Sequence, residues 1–200
     1  MIKNYFFLAI TVVFLMGSCK KDAKKEAAQY AVVAETITVN WTGYKTTSKI
    51  PVKGQFKTVE ISTNKEAATA VDALNGTSFS LPVSSLFSGD DDRDGKLKEL
   101  FFGVMDATMA LTGTLDLNKD GTGAVNLKMN NVTKAIPITY IVSGQLVELT
   151  GSLDIVNDFQ AQAALESISK ACYELHKGPD LVSKTWSEVG IDAAIYLKKD

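Results

Sequence analysis

Arginine is almost missing from this chain of 200 residues: Arg93 stands alone against 20 lysines, and the formal net charge is −2. A nucleic-acid-binding surface normally shows a strong basic excess, often rich in arginine, so that class of partner is excluded. Histidine is represented by His176 alone and cysteine by Cys19 and Cys172. No grouping of acid, base and nucleophile is visible, so no enzyme is expected, and neither is a catalytic residue, a metal or a cofactor. Long apolar runs are also scarce, with one exception. Tyr5 to Met16 is apolar, preceded by Lys3 and followed by the small residues Gly17 and Ser18. The run is too short to cross a bilayer as a permanent helix and reads as a secretory signal.

Leu15-Met16-Gly17-Ser18-Cys19 resembles the bacterial lipobox, with methionine where a more strictly aliphatic residue is usual. The resemblance implies cleavage before Cys19, lipid attachment to its sulfur, and a place in the bacterial cell envelope. That means an exported, lipid-anchored protein at the outer membrane, facing the periplasm or the surface. Lys20 to Gln29 is charged, alanine-rich and short of apolar bulk, as a solvated tether should be. The chain therefore divides into a signal peptide (1–18), a lipidated cysteine with its tether (19–30) and one β-domain (31–200).

Within that domain the organising stretch is Ala107 to Ile155, a meander apolar at every second residue. Ala107, Met109, Leu111, Leu115 and Leu117 share one parity, and Val125, Leu127 and Met129 resume it after Asp120-Gly121. Ile136, Ile138, Tyr140 and Val142 follow Asn130-Asn131, and Val147, Leu149, Leu153 and Ile155 follow Ser143-Gly144. Further strands are predicted over 31–43, 50–62, 77–83 and 187–198. The parity changes between Phe56 and Val59, which predicts a β-bulge near Lys57-Thr58. Thr63 to Glu66 fits a capping box before a short helix ending at Asn75-Gly76, Leu86 to Gly95 reads as an acidic loop, and one longer helix is predicted from Asp158 to His176. The fold expected is mainly β, an eight-stranded antiparallel barrel with short helices and that longer helix before the last strand.

Ile37 to Phe56, ending Val52-Lys53-Gly54-Gln55-Phe56, resembles the opening of YceI-like domains. Arg93-Asp94-Gly95-Lys96-Leu97, followed by Leu100-Phe101-Phe102, is similar to that family's Arg-Asp-x-x-Leu segment. Asn131-Val132-Thr133-Lys134 is similar to its Gly-Val-Thr-Lys hairpin, with asparagine for glycine. The usual histidine-serine near the first strand and the tyrosine-proline before the meander are absent. The resemblance implies a lipocalin-like barrel, and in some members a polyisoprenoid chain inside it.

Gly54, Gly113, Gly151 and Ala193 fall on the inward register and are expected to leave interior volume for an apolar isoprenoid-like or lipid ligand. The residues expected to line that cavity are Val39, Trp41, Val52, Phe56, Phe79, Leu111, Leu127, Ile138, Tyr140, Leu149 and Ile191. The second expected partner is the membrane, through lipidated Cys19, and a homodimer is left open. The alternative is a filled barrel that serves as a non-enzymatic interaction protein of the envelope. Glycines at barrel corners fit that alternative equally well.

Two other motifs fall short of a chemistry. Asp90 to Gly95 and Asp116 to Gly121 both match the start of a calcium loop, yet the twelfth position holds Phe101 in one and Leu127 in the other, where a bidentate glutamate is needed. Cys172 and His176 stand four apart on the predicted helix. Cys172 falls in an apolar stripe and nothing is evident to orient His176, so both read as structural. Trp41 and Trp186 read as wall or plug residues.

Overall fold

The computed structural model describes residues 29–62 and 65–200. The signal segment 1–18, Cys19, nearly all of the tether and the first half of the expected capping box at Thr63 lie outside the described residues. Elements follow in the order β1 (Tyr30–Ala31), β2 (Ile37–Lys45), β3 (Ile50–Phe56), β4 (Glu60–Ile61), α1 (Ala70–Leu74), β5 (Ser78–Pro82) and β6 (Leu86–Phe87). Then come α2 (Asp91–Lys96), β7 (Ala110–Leu117), β8 (Thr122–Met129), β9 (Val132–Ser143), β10 (Leu146–Asp154), α3 (Ile155–Phe159), α4 (Gln162–Ala171), β11 (Glu188–Tyr196) and β12 (Lys198–Lys199). Among the described residues, ten strands form one curled sheet in the order β4-β5-β7-β8-β9-β10-β11-β2-β3-β6, every neighbour antiparallel. β1 and β12 pair separately. No helix among the described residues is long and apolar enough to cross a membrane.

The count is ten where eight were expected, because the 50–62 strand is interrupted into β3 and β4, and Leu86–Phe87, within the expected acidic loop, forms the further strand β6. The 50–62 strand breaks after Phe56, where Lys57 N donates to Ser85 O at 3.0 Å, and resumes as β4. The segment opposite turns through a 3-10 helix at Val83–Ser85 between β5 and β6. Phe56 opposes Leu86 and Glu60 opposes Ser80, so between these pairs residues 57–59 face residues 81–85. The irregularity falls where the parity change predicted a β-bulge, but its extra residues are on the opposite segment and not at Lys57-Thr58, which corrects that expectation.

Local chemistry explains the connections. Asn130 and Asn131 both have positive φ, 50° and 57°, as a two-residue primed turn requires, and they join β8 to β9. Ile136, Ile138 and Tyr140 are buried while Pro137, Thr139 and Ile141 are exposed, the period of two expected of a strand with one face inward. Met109 departs from its predicted inward row and is 86% exposed. Ala107 sits at φ 50°, which breaks the alternation, and β7 begins at Ala110.

Three helix expectations are corrected. α1 is capped by Thr69 and not by the expected box at Thr63: the Thr69 hydroxyl accepts from Asp72 N at 3.1 Å and donates to Asp72 Oδ2 at 2.7 Å. The acidic loop contains α2, capped by Asp90, whose Oδ1 accepts from Arg93 N at 3.0 Å. The long Asp158–His176 helix is three pieces. Asp154 caps α3 by accepting from Val156 N and Asn157 N at 3.0 and 2.9 Å, Gln160 ends it at φ 54°, and α4 stops at Cys172. A 3-10 turn, Glu174–His176, carries the rest.

The meander therefore supplies the larger part of one curved wall. β10 continues through β11 to β2, with Leu149 opposite both Tyr140 and Ala193 and Ile191 opposite both Gly151 and Trp41. Val32, Leu74 and Leu197, each about 1% exposed or less, close the end where the first and last described residues meet. Phe159, fully buried, packs at the opposite end, where its carbonyl accepts from Asn130 Nδ2 at 2.9 Å. Each such side chain contributes about 1.5–3 kcal/mol by leaving water.

Candidate functional site

The inside of the curled sheet is not packed solid: it borders a cavity of about 380 Å³. This removes the basis for the filled-barrel alternative. Val32, Leu74, Thr77 and Ile195 border one end, where α1 and the N-terminal segment lie. A belt of strand residues follows, and Leu97, Phe101 and Phe102 from the turns after α2, with Leu165, Ile168 and Cys172 from α4 and its end, roof the other. Phe101 and Phe102 meet edge to face with centroids 4.9 Å apart, and Phe102 meets Phe56 at 6.4 Å, which ties roof to wall.

Nine of the residues expected to line such a cavity border it: Val39, Trp41, Val52, Phe56, Phe79, Leu111, Leu127, Leu149 and Ile191. Ile138 and Tyr140 are buried but do not border it. Ile138 fills the notch above Gly151, its Cγ2 lying 2.9 Å from where a Cβ on that glycine would sit. Tyr140 directs its hydroxyl to the Asn118 carbonyl in the β7–β8 hairpin, so its ring belongs to the wall's hydrogen bonding.

The small inward residues act differently from expectation. A Cβ on Gly54 would overlap the Trp41 ring, and one on Gly113 would lie 2.7 Å from Phe79 Cζ and 2.6 Å from Asn126 O. The glycines are seats for large side chains on neighbouring strands, an arrangement that strengthens strand pairing. The cavity volume does not come from them. Ala193, by contrast, borders the cavity itself.

The roofed end carries a polar rim that periodicity gave no means of finding: Lys45, Asp90, Asp92, Arg93, Lys96, His176, Thr185 and Trp186 all border the cavity. Arg93 sits between Asp90 Oδ2 and Ser88 Oγ, 3.4 Å from each, and Lys96 pairs with Asp92. The backbone N–H of Arg93 holds the Asp90 carboxyl below its usual range, with the Arg93 charge adding to the effect. Asp94, 5% exposed, accepts from Ser88 N at 2.8 Å and Ser88 Oγ at 2.6 Å, pinning the start of α2 to the strand end before it. These aspartates therefore cap and anchor a helix. Among the described residues no group of three or more His, Cys, Asp or Glu side chains is placed to hold a metal.

His176 and Cys172 both border the cavity. Burial, with Lys45 nearby, lowers the His176 pKa, and its Nδ1 lies 2.7 Å from Thr185 Oγ1, so the ring is neutral at pH 7. Burial raises the Cys172 pKa, keeping it a thiol. Lys45 donates to Leu175 O at 3.3 Å; Leu175 borders the cavity and is 59% exposed, so the cavity reaches the surface here, and Trp186, whose Nε1 donates to Thr46 O at 2.8 Å, stands in the rim of that mouth.

A curled antiparallel sheet that keeps an apolar cavity under a helical roof is the class of β-protein these features define. A family model described as YceI-like domain matches residues 30–194, and the chain belongs to that family. Among solved structures, a polyisoprenoid binding domain from Saccharophagus degradans, implicated in plant cell wall breakdown, aligns with a TM-score of 0.61 at 13% identity, covering 86% of this chain and 98% of its own. BcnA of Burkholderia cenocepacia aligns with a TM-score of 0.50 at 14% identity, covering 84% and 99%. At these identities the likeness is one of fold. Comparison with curated proteins gives no match.

Proposed function

We propose that the protein binds an apolar chain of isoprenoid or lipid class in the cavity, for storage, shielding or transfer, and does so without catalysis. The observation that carries this is the cavity wall: Val39, Leu111, Leu127, Leu149 and Ile191 present hydrocarbon to an open volume of about 380 Å³. Volumes of roughly 300–1,000 Å³ with mostly apolar walls are typical of small-molecule sites. Apolar area left in such a space stabilises whatever hydrocarbon covers it, at about 25 cal/mol per Å². The S. degradans neighbour, described as polyisoprenoid binding, supports the choice of ligand class.

The finer fold reading is closure into an eight-segment barrel. It is supported by the pairing of 50–61 with 78–87 on both sides of the bulge, at Phe56–Leu86 and Ile61–Phe79. The remaining part of the proposal is export and lipid anchoring at Cys19, which rests on the lipobox-like sequence. Mass spectrometry of organic extracts from the purified protein tests the binding. An apolar, long-chain species recovered in stoichiometric amount is expected. Repeated absence of one, with no uptake of long-chain polyprenols, would refute it.

A further inference from the structure

The mouth end carries a surface for which the folded domain alone has no use. Residues 177–183 form a tight hairpin, in which Gly178 N donates to Val182 O at 3.1 Å and Lys177 bridges to Ser183. At its tip Leu181 adopts φ 63°, a left-handed conformation costly for leucine, and is 77% exposed. Tyr173, Leu175 and Val182 are 53%, 59% and 51% exposed. Lys184 N donates to His176 O at 3.2 Å, which holds the 174–176 turn against the hairpin. Leu175 also borders the cavity, so the apolar surface is continuous with the mouth. Exposed hydrocarbon gathered at one place in this way marks an interaction surface.

Charge indicates what the cover is. Lys170 and Lys184 have no carboxylate partner among the described residues, and Lys45 is held only by the Leu175 carbonyl. On the same segment Glu174 pairs with Lys177 at 2.7 Å, while Asp180 accepts from Thr47 Oγ1 at 2.6 Å and keeps its charge, so Lys170 and Lys184 stand against one carboxylate without a cation partner. Unpaired lysines around an exposed apolar tip, on a chain of net charge −2, match an anionic lipid surface better than a protein surface. We propose that this end docks on an anionic phospholipid bilayer, with Leu181 and its neighbours in the acyl boundary and the lysines over the headgroups. The cavity mouth is thereby held against the lipid. Docking of this kind needs only the surface itself and does not depend on what the cavity holds.

The test uses the full chain carrying Trp41→Phe, which leaves Trp186, at the mouth, as its one tryptophan. It is added to phosphatidylcholine vesicles containing roughly a third phosphatidylglycerol, with acyl chains brominated near the headgroup. Because the N-terminal segment can itself hold the chain on vesicles, quenching of Trp186 is the readout, and not co-sedimentation. Strong quenching is expected, weaker in pure phosphatidylcholine. The vesicle affinity read from that quenching should fall about tenfold in Leu181→Asn, which removes the apolar tip yet suits a left-handed backbone and so keeps or raises the melting temperature. Trp186 unquenched on vesicle-bound protein, or quenching that Leu181→Asn leaves unchanged, overturns the proposal. Uptake of a polyprenol from detergent micelles is measured separately and should be the same with and without Leu181→Asn. Failure of docking is thus distinguishable from failure of ligand binding.

Discussion

A single methyl group added at Gly54 should both destabilise the domain and narrow the cavity. Its Cβ would overlap the Trp41 ring and lie 2.8 Å from the Phe87 carbonyl oxygen, closer than real Cβ atoms come to other heavy atoms. The carbonyl belongs to a paired strand and cannot retreat, so the Trp41 ring must swing, and the open volume it borders is the cavity. Overpacking of this kind costs typically about 1–3 kcal/mol. For a domain of this size each kcal/mol lowers the melting temperature by about 2–4 °C, so Gly54→Ala should melt about 2–12 °C lower. Gly43, on β2, has nothing within 4 Å of where a Cβ would sit, and Gly43→Ala should stay within about 0.5 kcal/mol of wild type. Scanning calorimetry of the two variants, with tryptophan emission to report the displaced ring, makes the comparison. Equal melting temperatures would refute the view that glycines on the inner register are seats for aromatic rings.

Two other perturbations probe the ends of the site. His176 has a depressed pKa in the folded state, so the unfolded chain takes up a proton first as pH falls. Its contribution is complete above its ordinary value of 6.5 and is lost as pH drops below it, so urea midpoints should fall between pH 6.5 and 5, and His176→Gln should flatten that slope. A slope unchanged by the substitution would show that His176 is not buried in this way. Asp154, despite partial burial, is held below the usual carboxyl range by bonds from Asn157 N, Ser187 Oγ and Val156 N. Asp154→Ala should cost about 1–2 kcal/mol at pH 7 as a lost helix cap, and the difference should shrink as pH falls through the folded pKa of Asp154. Urea denaturation at pH 7 and pH 3 reads both.

What could be read from the chain was whatever repeats at a fixed period or obeys a turn rule. Ile136, Ile138 and Tyr140 alternate with exposed residues, Asn130-Asn131 turns with positive φ, and the parity change after Phe56 marks a bulge; all of these are local. The belt of the cavity followed, because inward parity on several strands converges on one interior. Four features were not legible. Tyr140 leaves the cavity through a hydrogen bond to Asn118, a contact across 22 residues. The break at Gln160 depends on the Asp154 cap and a left-handed residue, where an apolar stripe alone suggested one continuous helix. The glycines gave their inward position but not their occupants, since Trp41 over Gly54 is set by cross-strand register. The rim of Lys45, Arg93, Lys96 and His176 gathers from three separate segments, and no spacing rule connects them.

Ala193 gives the most direct test of the cavity as a binding site. Ala193 lies between Val39 and Leu149 on the sheet and borders the open volume. Wild-type protein and Ala193→Phe are each incubated with a long-chain polyprenol and examined by native mass spectrometry, with melting temperatures to establish that both are folded. A one-to-one complex is expected for wild type, with binding weakened by about tenfold or more in the filled variant, equivalent to at least about 1.4 kcal/mol. No complex with wild type, or equal binding by the two folded proteins, would contradict binding in the cavity.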